Sequence, residues 1–374
     1  MTARSKRLAS VPRVTAVLLA VLALGAGALV NAPMAGASVR PACIWQPLYL
    51  LNGWQAQGLY GTGDPMYCVD GAMVYLTGSL DQSAAGGQEF AVLPPQAAPA
   101  STSYFTVYTL NGTAGVLRIE PGGGMYAYGG AATWFTSLAG ISFPAAQSAP
   151  AGQSLALENG WQSAQGNYGT GDPSFFVSGN ITHLSGSVTN NATNPDGDFA
   201  VFPTIDGPDN CVETNVYTSG GTVGWLRIDP SLNTMTVQDE GPGGATTSAA
   251  GFTSLAGISF PSTGTPWQPL NLENNWEPVY NNQCWNGDTS YYISGRVVYL
   301  AGALAPDPYS PHGSGPVATL PLAARPAHTL YLTVNEELAP PASLEIKPDG
   351  TMYLFGGLKP TFTSLAGVSY QASS

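Results

Sequence analysis

The sequence predicts an all-β protein: three tandem small antiparallel β-sandwich domains behind an export signal, across 374 residues. Three observations carry this. Phe135-Thr-Ser-Leu-Ala-Gly-Ile-Ser-Phe143 recurs at 252–260 and, as Phe-Thr-Ser-Leu-Ala-Gly-Val-Ser-Tyr, at 362–370. Elsewhere apolar residues alternate with period two and are punctuated by Gly. After Ala37 no apolar run combines helical period with caps, while 46 Gly and 31 Pro suit many short strands joined by turns.

The chain begins with Arg4, Lys6, Arg7 and Arg13, then the apolar run 14–30, then Pro33 and Ala35-Gly36-Ala37. That order is the pattern of a secretory signal peptide cleaved after Ala37. The alternative is an uncleaved anchor, but a run of 17 residues is at the lower limit of about 17–25 for a spanning helix. Cys43 follows Arg40-Pro41-Ala42, which is no lipobox, so the expected product is a released extracellular protein, with no membrane partner after cleavage.

Cleavage would leave seven Lys and Arg against 23 Asp and Glu, a net charge of about −16. No basic patch is available for nucleic acid or an anionic membrane. Only 9% of residues are charged, against about 25% in an average soluble protein. The surface must be covered by Ser, Thr, Asn, Gln, Gly and Tyr, which suits neutral polar ligands.

The expected organisation is a signal peptide (1–37) and three β-sandwich repeats (38–146, 147–263 and 264–374). Each repeat opens on a shared segment that ends at Trp54, Trp161 or Trp276, spaced 107 and 115 residues apart. This is the scale of a complete small domain rather than a solenoid unit. Gly61-Thr-Gly-Asp-Pro65 equals Gly169-Thr-Gly-Asp-Pro173 and weakens to Asn286-Gly-Asp288-Thr. An alternating segment with an internal Gly turn follows: Tyr67, Val69, Gly71, Met73 and Tyr75 in the first copy, Phe175 to His183 in the second, Tyr291 to Tyr299 in the third. It predicts a β-hairpin. A second hairpin is expected around Leu117-Arg-Ile119 and its counterparts, most clearly at Pro348-Asp-Gly-Thr. The linkers fall near 145–153 and 262–266.

Four cysteines, Cys43, Cys68, Cys211 and Cys284, allow three pairings in an exported chain. Cys43 and Cys68 both lie at the start of repeat 1 and form the favoured pair, with Cys211–Cys284 as a bridge between neighbouring repeats. Free buried thiols are the alternative.

Together these motifs resemble the head domains of bacteriophage tail fibres and baseplate receptor-binding proteins. The shared elements are a Leu-x-x-Gly-Trp opening, the aromatic-x-Val-x-Gly strand pair, a Leu320-Pro321…Arg325-Pro326-Ala327 segment, an Asp-Gly hairpin and the closing Ser-Leu-x-Gly-Ile-Ser-Phe. The resemblance covers each repeat nearly end to end. It implies a β-sandwich head that works as a trimer and binds cell-surface carbohydrate. Unlike such heads, this chain carries a signal peptide and three copies. It would therefore be a monomer packed as a pseudo-trimer about a pseudo-threefold axis, or a homo-oligomer.

Nothing in the sequence suggests catalysis, a cofactor or a metal. There is no metal-ligand His pair, no nucleophile elbow and no phosphate loop. His183 aligns with Tyr75 and Tyr299 as a strand residue, and His312 and His328 occur in one repeat only. Asn194-Pro-Asp196-Gly-Asp198 reads as an acidic turn rather than a Ca²⁺ loop. Arg118 and Arg227 match each other, but the third copy has Glu345 at that position, so no common site requires that Arg.

The candidate carbohydrate-binding residues are Trp54, Trp161, Trp276, Trp285, Tyr60 and Tyr168, with Asp64, Asp172 and Asp288. Sugar C–H faces stack on aromatic rings, and hydroxyls need short polar partners. The recurring Trp residues read more readily as core than as ligand platforms, and the three Asp more readily as turn residues accepting backbone N–H bonds. Trp285, in a polar Asn-Gln-Cys-Trp-Asn-Gly-Asp loop, is the one expected to be exposed. The expectation is a secreted, non-catalytic protein that recognises a glycan or cell-wall polymer, with three weak sites acting together. A structural or coat protein is the rival, and a polysaccharide hydrolase with two carboxyls in one cleft is the third reading.

Overall fold

The computed structural model describes residues 43–192, 195, 197–239, 247–280, 284–307, 315–336, 340–356 and 362–373. The expected export signal with its cleavage point, His312, and Asn194 and Asp196 of the acidic turn lie outside them.

The structure is almost all β, and each repeat builds two antiparallel sheets facing each other over a core. In repeat 1 the four-stranded sheet runs Gln46–Pro47, Met66–Asp70, Met73–Thr77, Ser142–Pro144. The same order recurs in repeat 2 (Gln153–Ser154, Ser174–Ser178, Ile181–Ser185, Ser259–Pro261) and repeat 3 (Gln268–Pro269, Ser290–Ser294, Val297–Ala301, Ser369–Gln371). Its central hairpin has a two-residue loop opening on Gly71, Gly179 or Gly295, at φ +61°, +66° and +63°. A short hairpin loop needs that left-handed conformation to follow the strand twist, and Gly adopts it without a Cβ clash.

The opposing sheet of repeat 1 has seven strands, with Ser103–Thr109, here called the inner strand, at its middle. In repeats 2 and 3 the corresponding sheet is joined across the middle only by the bridges Thr218–Thr253 and Glu336–Thr363, which match the pair Thr109–Thr136. The cores occupy matching positions. Phe90, Leu117, Met125 and Phe143 correspond to Phe199, Leu226, Met235 and Phe260, and to Val317, Leu344, Met352 and Tyr370. The period-two pattern places these side chains inward from both sheets, the condition for a sandwich.

Two short helices, Gln165–Tyr168 and Thr247–Gly251, occur in repeat 2. They are too short for apolar period to reveal. The second is held at its start by the Asp239 carboxylate, which accepts from the Ser248 and Ala249 N–H at 2.9 and 2.6 Å.

The three repeats close into a ring. Thr102 N–H donates to Gly169 O (2.9 Å), Cys211 N–H to Trp285 O (2.8 Å) and Thr329 N–H to Gly61 O (3.0 Å). One bond thus links each repeat to the next, and the third returns to the first. The closing Leu-Ala-Gly turns make the same contact three times. Gly140, Gly257 and Gly367 have φ of +76°, +82° and +81°, and a Cβ on them would lie 2.5 Å from Leu332, 2.8 Å from Phe105 and 2.5 Å from Thr214. Each of those three belongs to the inner strand of the neighbouring repeat, which is Val212–Tyr217 in repeat 2 and Leu330–Val334 in repeat 3. The recurrence of the closing motif therefore reflects a seam between repeats as well as a strand within one.

Both favoured disulfides are present. Cys43–Cys68 ties the first described residue to the Met66–Asp70 strand, and Cys211–Cys284 joins repeat 2 to repeat 3. The alternative of free thiols is set aside.

Candidate functional site

Two of the three seams are aromatic. Between repeats 1 and 2, Tyr104 stacks on Tyr217 (centroids 5.2 Å apart), both meet the edge of Phe252, and Tyr168 lies 4.1 Å from Phe252. Between repeats 3 and 1, Tyr331 packs on Tyr108 (5.2 Å) and Phe135 (5.7 Å), with Tyr60 5.0 Å from Phe135. Tyr60 and Tyr168 are therefore seam residues, partly exposed and already engaged by protein rings.

The third seam has different chemistry. Position by position, Tyr104 and Tyr331 become Glu213, Tyr108 and Tyr217 become Asn335, and Tyr60 and Tyr168 become Cys284. Asn286 Nδ2 donates to Glu213 Oε2 at 2.9 Å with both residues buried, and Asn335 Nδ2 lies 3.4 Å from Asn215 Oδ1. The Cys211–Cys284 disulfide takes the positions of Thr102 and Thr329 on one side and of Tyr60 and Tyr168 on the other.

This substitution creates the one repeat-specific aromatic surface that includes a sequence-predicted ligand residue. Trp285, 62% exposed, occupies the position of Gly61 and Gly169. Tyr280, 41% exposed, occupies that of Gly58 and Gln165. Their rings are parallel, 4.6 Å apart at an interplanar angle of 3°. The Tyr280 hydroxyl donates to Asp288 Oδ1 at 2.5 Å. That bond, together with burial, raises the Tyr280 pKa, since the phenol must give up a donated hydrogen bond to ionise. Asn210 of repeat 2 packs against Gly287, which a Cβ would bring to 2.5 Å from its amide. The result is an open ledge of two rings, a carboxylate and an amide, held over the disulfide.

The other sequence candidates separate by burial. Trp54 (5% exposed) and Trp161 (4%) lie in the cores of repeats 1 and 2, against Phe90 and Phe199 at 5.9 and 5.8 Å. Trp54 Nε1 donates to Gly87 O at 3.0 Å. Neither ring has a face for a sugar, which corrects their assignment as ligand platforms. Trp276 is partly buried against the core of repeat 3. Asp64, Asp172 and Asp288 are all exposed, yet what recurs is their backbone. A Cβ on Gly78, Gly186 or Gly302 would lie 2.1, 2.2 or 2.6 Å from the Asp carbonyl oxygen. The shared Asp marks a turn crossing over a glycine, and only Asp288 adds a tyrosine partner in the described contacts.

Tyr280 was not among the sequence candidates, because the repeat alignment selects what recurs. The signal that finds it is departure from the repeat: aromatic residues at two positions where the other copies carry Gly or Gln.

Arg118 lies over Tyr126 of the neighbouring strand, 4.2 Å from its centroid, and Arg227 over Trp225 of its own strand, at 5.2 Å. Glu345, in the third copy, accepts from the Tyr331 hydroxyl at 2.9 Å. On the axis, where the three inner strands meet, a cavity of about 80 Å³ is lined by Thr106, Asn215 and Thr333 among others. Thr106 Oγ1 and Asn215 Nδ2 have no partner there. This volume suits a few waters and is well below the roughly 300–1,000 Å³ of a ligand pocket. Among the described residues no three His, Cys, Asp or Glu side chains converge as a metal site, and no helix is long and apolar enough to cross a membrane.

Compared with protein-family models, with curated proteins and with solved structures, the chain matches none.

Proposed function

We propose that the protein is an exported, non-catalytic glycan-binding protein whose ligand stacks on the Trp285–Tyr280 ledge. Three domains of the phage receptor-binding-head type, fused in one chain, would form the scaffold, in place of three separate subunits. The observation that carries the reading is the exposure of Trp285 with Tyr280 stacked on one of its faces. Maintaining that much aromatic surface in water costs free energy, and a sugar C–H face covers it well. Asp288 and Asn210 are short polar groups at its margin, suited to hydroxyls. Two disulfides fit an oxidising compartment, in keeping with the signal-like N-terminus. The ledge has no counterpart in repeats 1 and 2, so binding through it is monovalent per chain.

The test is a pull-down of the chain from Ser38 to Ser374 with purified cell walls and insoluble polysaccharides, with the supernatant assayed for released sugar. Retention without release is expected. Trp285→Ala should weaken retention at least about tenfold, as for an aromatic hot spot, with the melting temperature unchanged because the ring is exposed. Released sugar would overturn the non-catalytic reading. Absence of binding to every polymer, or equal binding by Trp285→Ala, would overturn the ledge as the site.

A further inference from the structure

We infer that the ledge selects glycans bearing free ammonium groups, such as polymers containing unacetylated amino sugars, over neutral or N-acetylated ones. This rests on the ledge being the glycan site and specifies its ligand class.

The first ground is the chemistry of the ledge itself. An indole face is the strongest protein π-surface for a cation; Tyr280 stacks on one face of Trp285 and holds the Asp288 carboxylate on its hydroxyl, which leaves the opposite indole face for the ligand. Asp288 uses one oxygen for the Tyr280 hydroxyl. A carboxylate has acceptor capacity for more than one donor, and an ammonium supplies three. The pairing of a ring face with a carboxylate is what a cationic ligand requires, whereas a neutral sugar would be served equally by an amide.

The second ground is charge. Between Arg227 and Arg296 the chain holds no Lys, Arg or His, while Asp229, Asp239, Glu273, Glu277 and Asp288 all lie in that stretch. Asp209, adjacent to Asn210 on the facing side of the seam, is exposed as well. Of these, Asp288 lies at the ledge, with Asp209 and Glu213 on the facing repeat; carboxylates gathered there disfavour sulfated or uronic polymers and favour cationic ones.

The third ground is internal precedent. Each repeat places one of its few cations over an aromatic ring: Arg118 on Tyr126, Arg227 on Trp225, and Lys347 on Tyr353 at 4.3 Å. Those faces are occupied from within the chain. The Trp285–Tyr280 pair lies in the stretch that carries no cation.

The test compares β-1,4-linked glucosamine oligomers with N-acetylated oligomers of equal length, binding to the full chain being followed by calorimetry and Trp fluorescence at pH 5.5 and low salt. The expected result is binding of the amino form at least about tenfold tighter, with the preference falling as salt rises. Asp288→Asn should retain the fold and abolish the preference while leaving weak stacking of both oligomers. Trp285→Ala should lose both. Equal affinity for the two oligomers, or tighter binding of the N-acetylated one, would overturn the ammonium preference while leaving the glycan-binding reading standing. Binding of neither, at any salt, would likewise overturn the ammonium preference, while the polymer pull-down decides the glycan-binding reading separately.

Discussion

His183 shows how a single residue can depart from its repeat without altering the fold. It takes the strand position of Tyr75 and Tyr299, is 4% exposed and stacks on Phe176 at 4.9 Å. Its Nδ1 has no partner. Burial alone lowers its pKa from 6.5 to about 4. The unfolded chain therefore takes up a proton first as pH falls. The stability associated with neutral His183 is complete above about 6.5 and is lost progressively down to about 4, roughly 3 kcal/mol in all. His183→Phe should flatten the fall in unfolding free energy between pH 7 and pH 4.5, measured by urea titration; an unchanged slope would place the acid sensitivity elsewhere. At this scale sequence was informative where residues recur and weak where they differ. The alignment found Trp285 because a lone Trp in a polar loop is conspicuous. It missed Tyr280, whose significance lies in facing Trp285 across residues 281–283, a proximity that no periodicity encodes.

At the level of elements, the hairpins were legible because two local rules agree on them: alternation of apolar residues and Gly at a left-handed turn position. The two short helices of repeat 2 were not, since neither completes the turns that a helical period requires. The closing motif was recognised as a strand, but half of its content is the seam, because Gly257 receives Phe105 from a repeat more than 100 residues away in sequence. Gly257→Ala and Gly179→Ala separate the two contributions. Both positions have positive φ (+82° and +66°), but a Cβ meets Phe105 at 2.8 Å in the first and nothing within 4 Å in the second. Each should lose about 1–2 kcal/mol to backbone strain. Gly257→Ala should lose a further 1–3 kcal/mol from displacing Phe105, read from urea midpoints. Equal losses would mean that Phe105 repacks freely.

At the level of the whole molecule, stability is unevenly distributed around the ring. The 1–2 and 3–1 seams are held by stacked Tyr and Phe, worth about 0.5–1.5 kcal/mol per pair beyond area burial. The 2–3 seam has buried Glu213 and Asn286 and a disulfide closing 73 residues, worth up to about 4 kcal/mol on the loop-entropy account. Cys211→Ala with Cys284→Ala should therefore release amide-exchange protection at Cys211's position and in the adjoining Val212–Tyr217 strand, while the inner strand of repeat 1 keeps its protection. Uniform loss around the ring would show that the three seams open together. The pairing of these two cysteines was legible by elimination. That the bridge stands in for a missing aromatic cluster was not, because the cluster is assembled from two repeats at a time.

The ring has a consequence for how such a protein can specialise. In a homotrimer every substitution is imposed three times around the axis, so an interface change must be tolerated at all three contacts at once. A single chain carries no such obligation. Here one junction exchanged Tyr for Cys and Gly for Trp while the other two kept their rings, which gave one of three otherwise equivalent corners a surface of its own. Covalent linkage of the repeats thus permits what a symmetric assembly forbids: two junctions here are closed by stacked rings, and the third, closed by a disulfide, carries an exposed tryptophan.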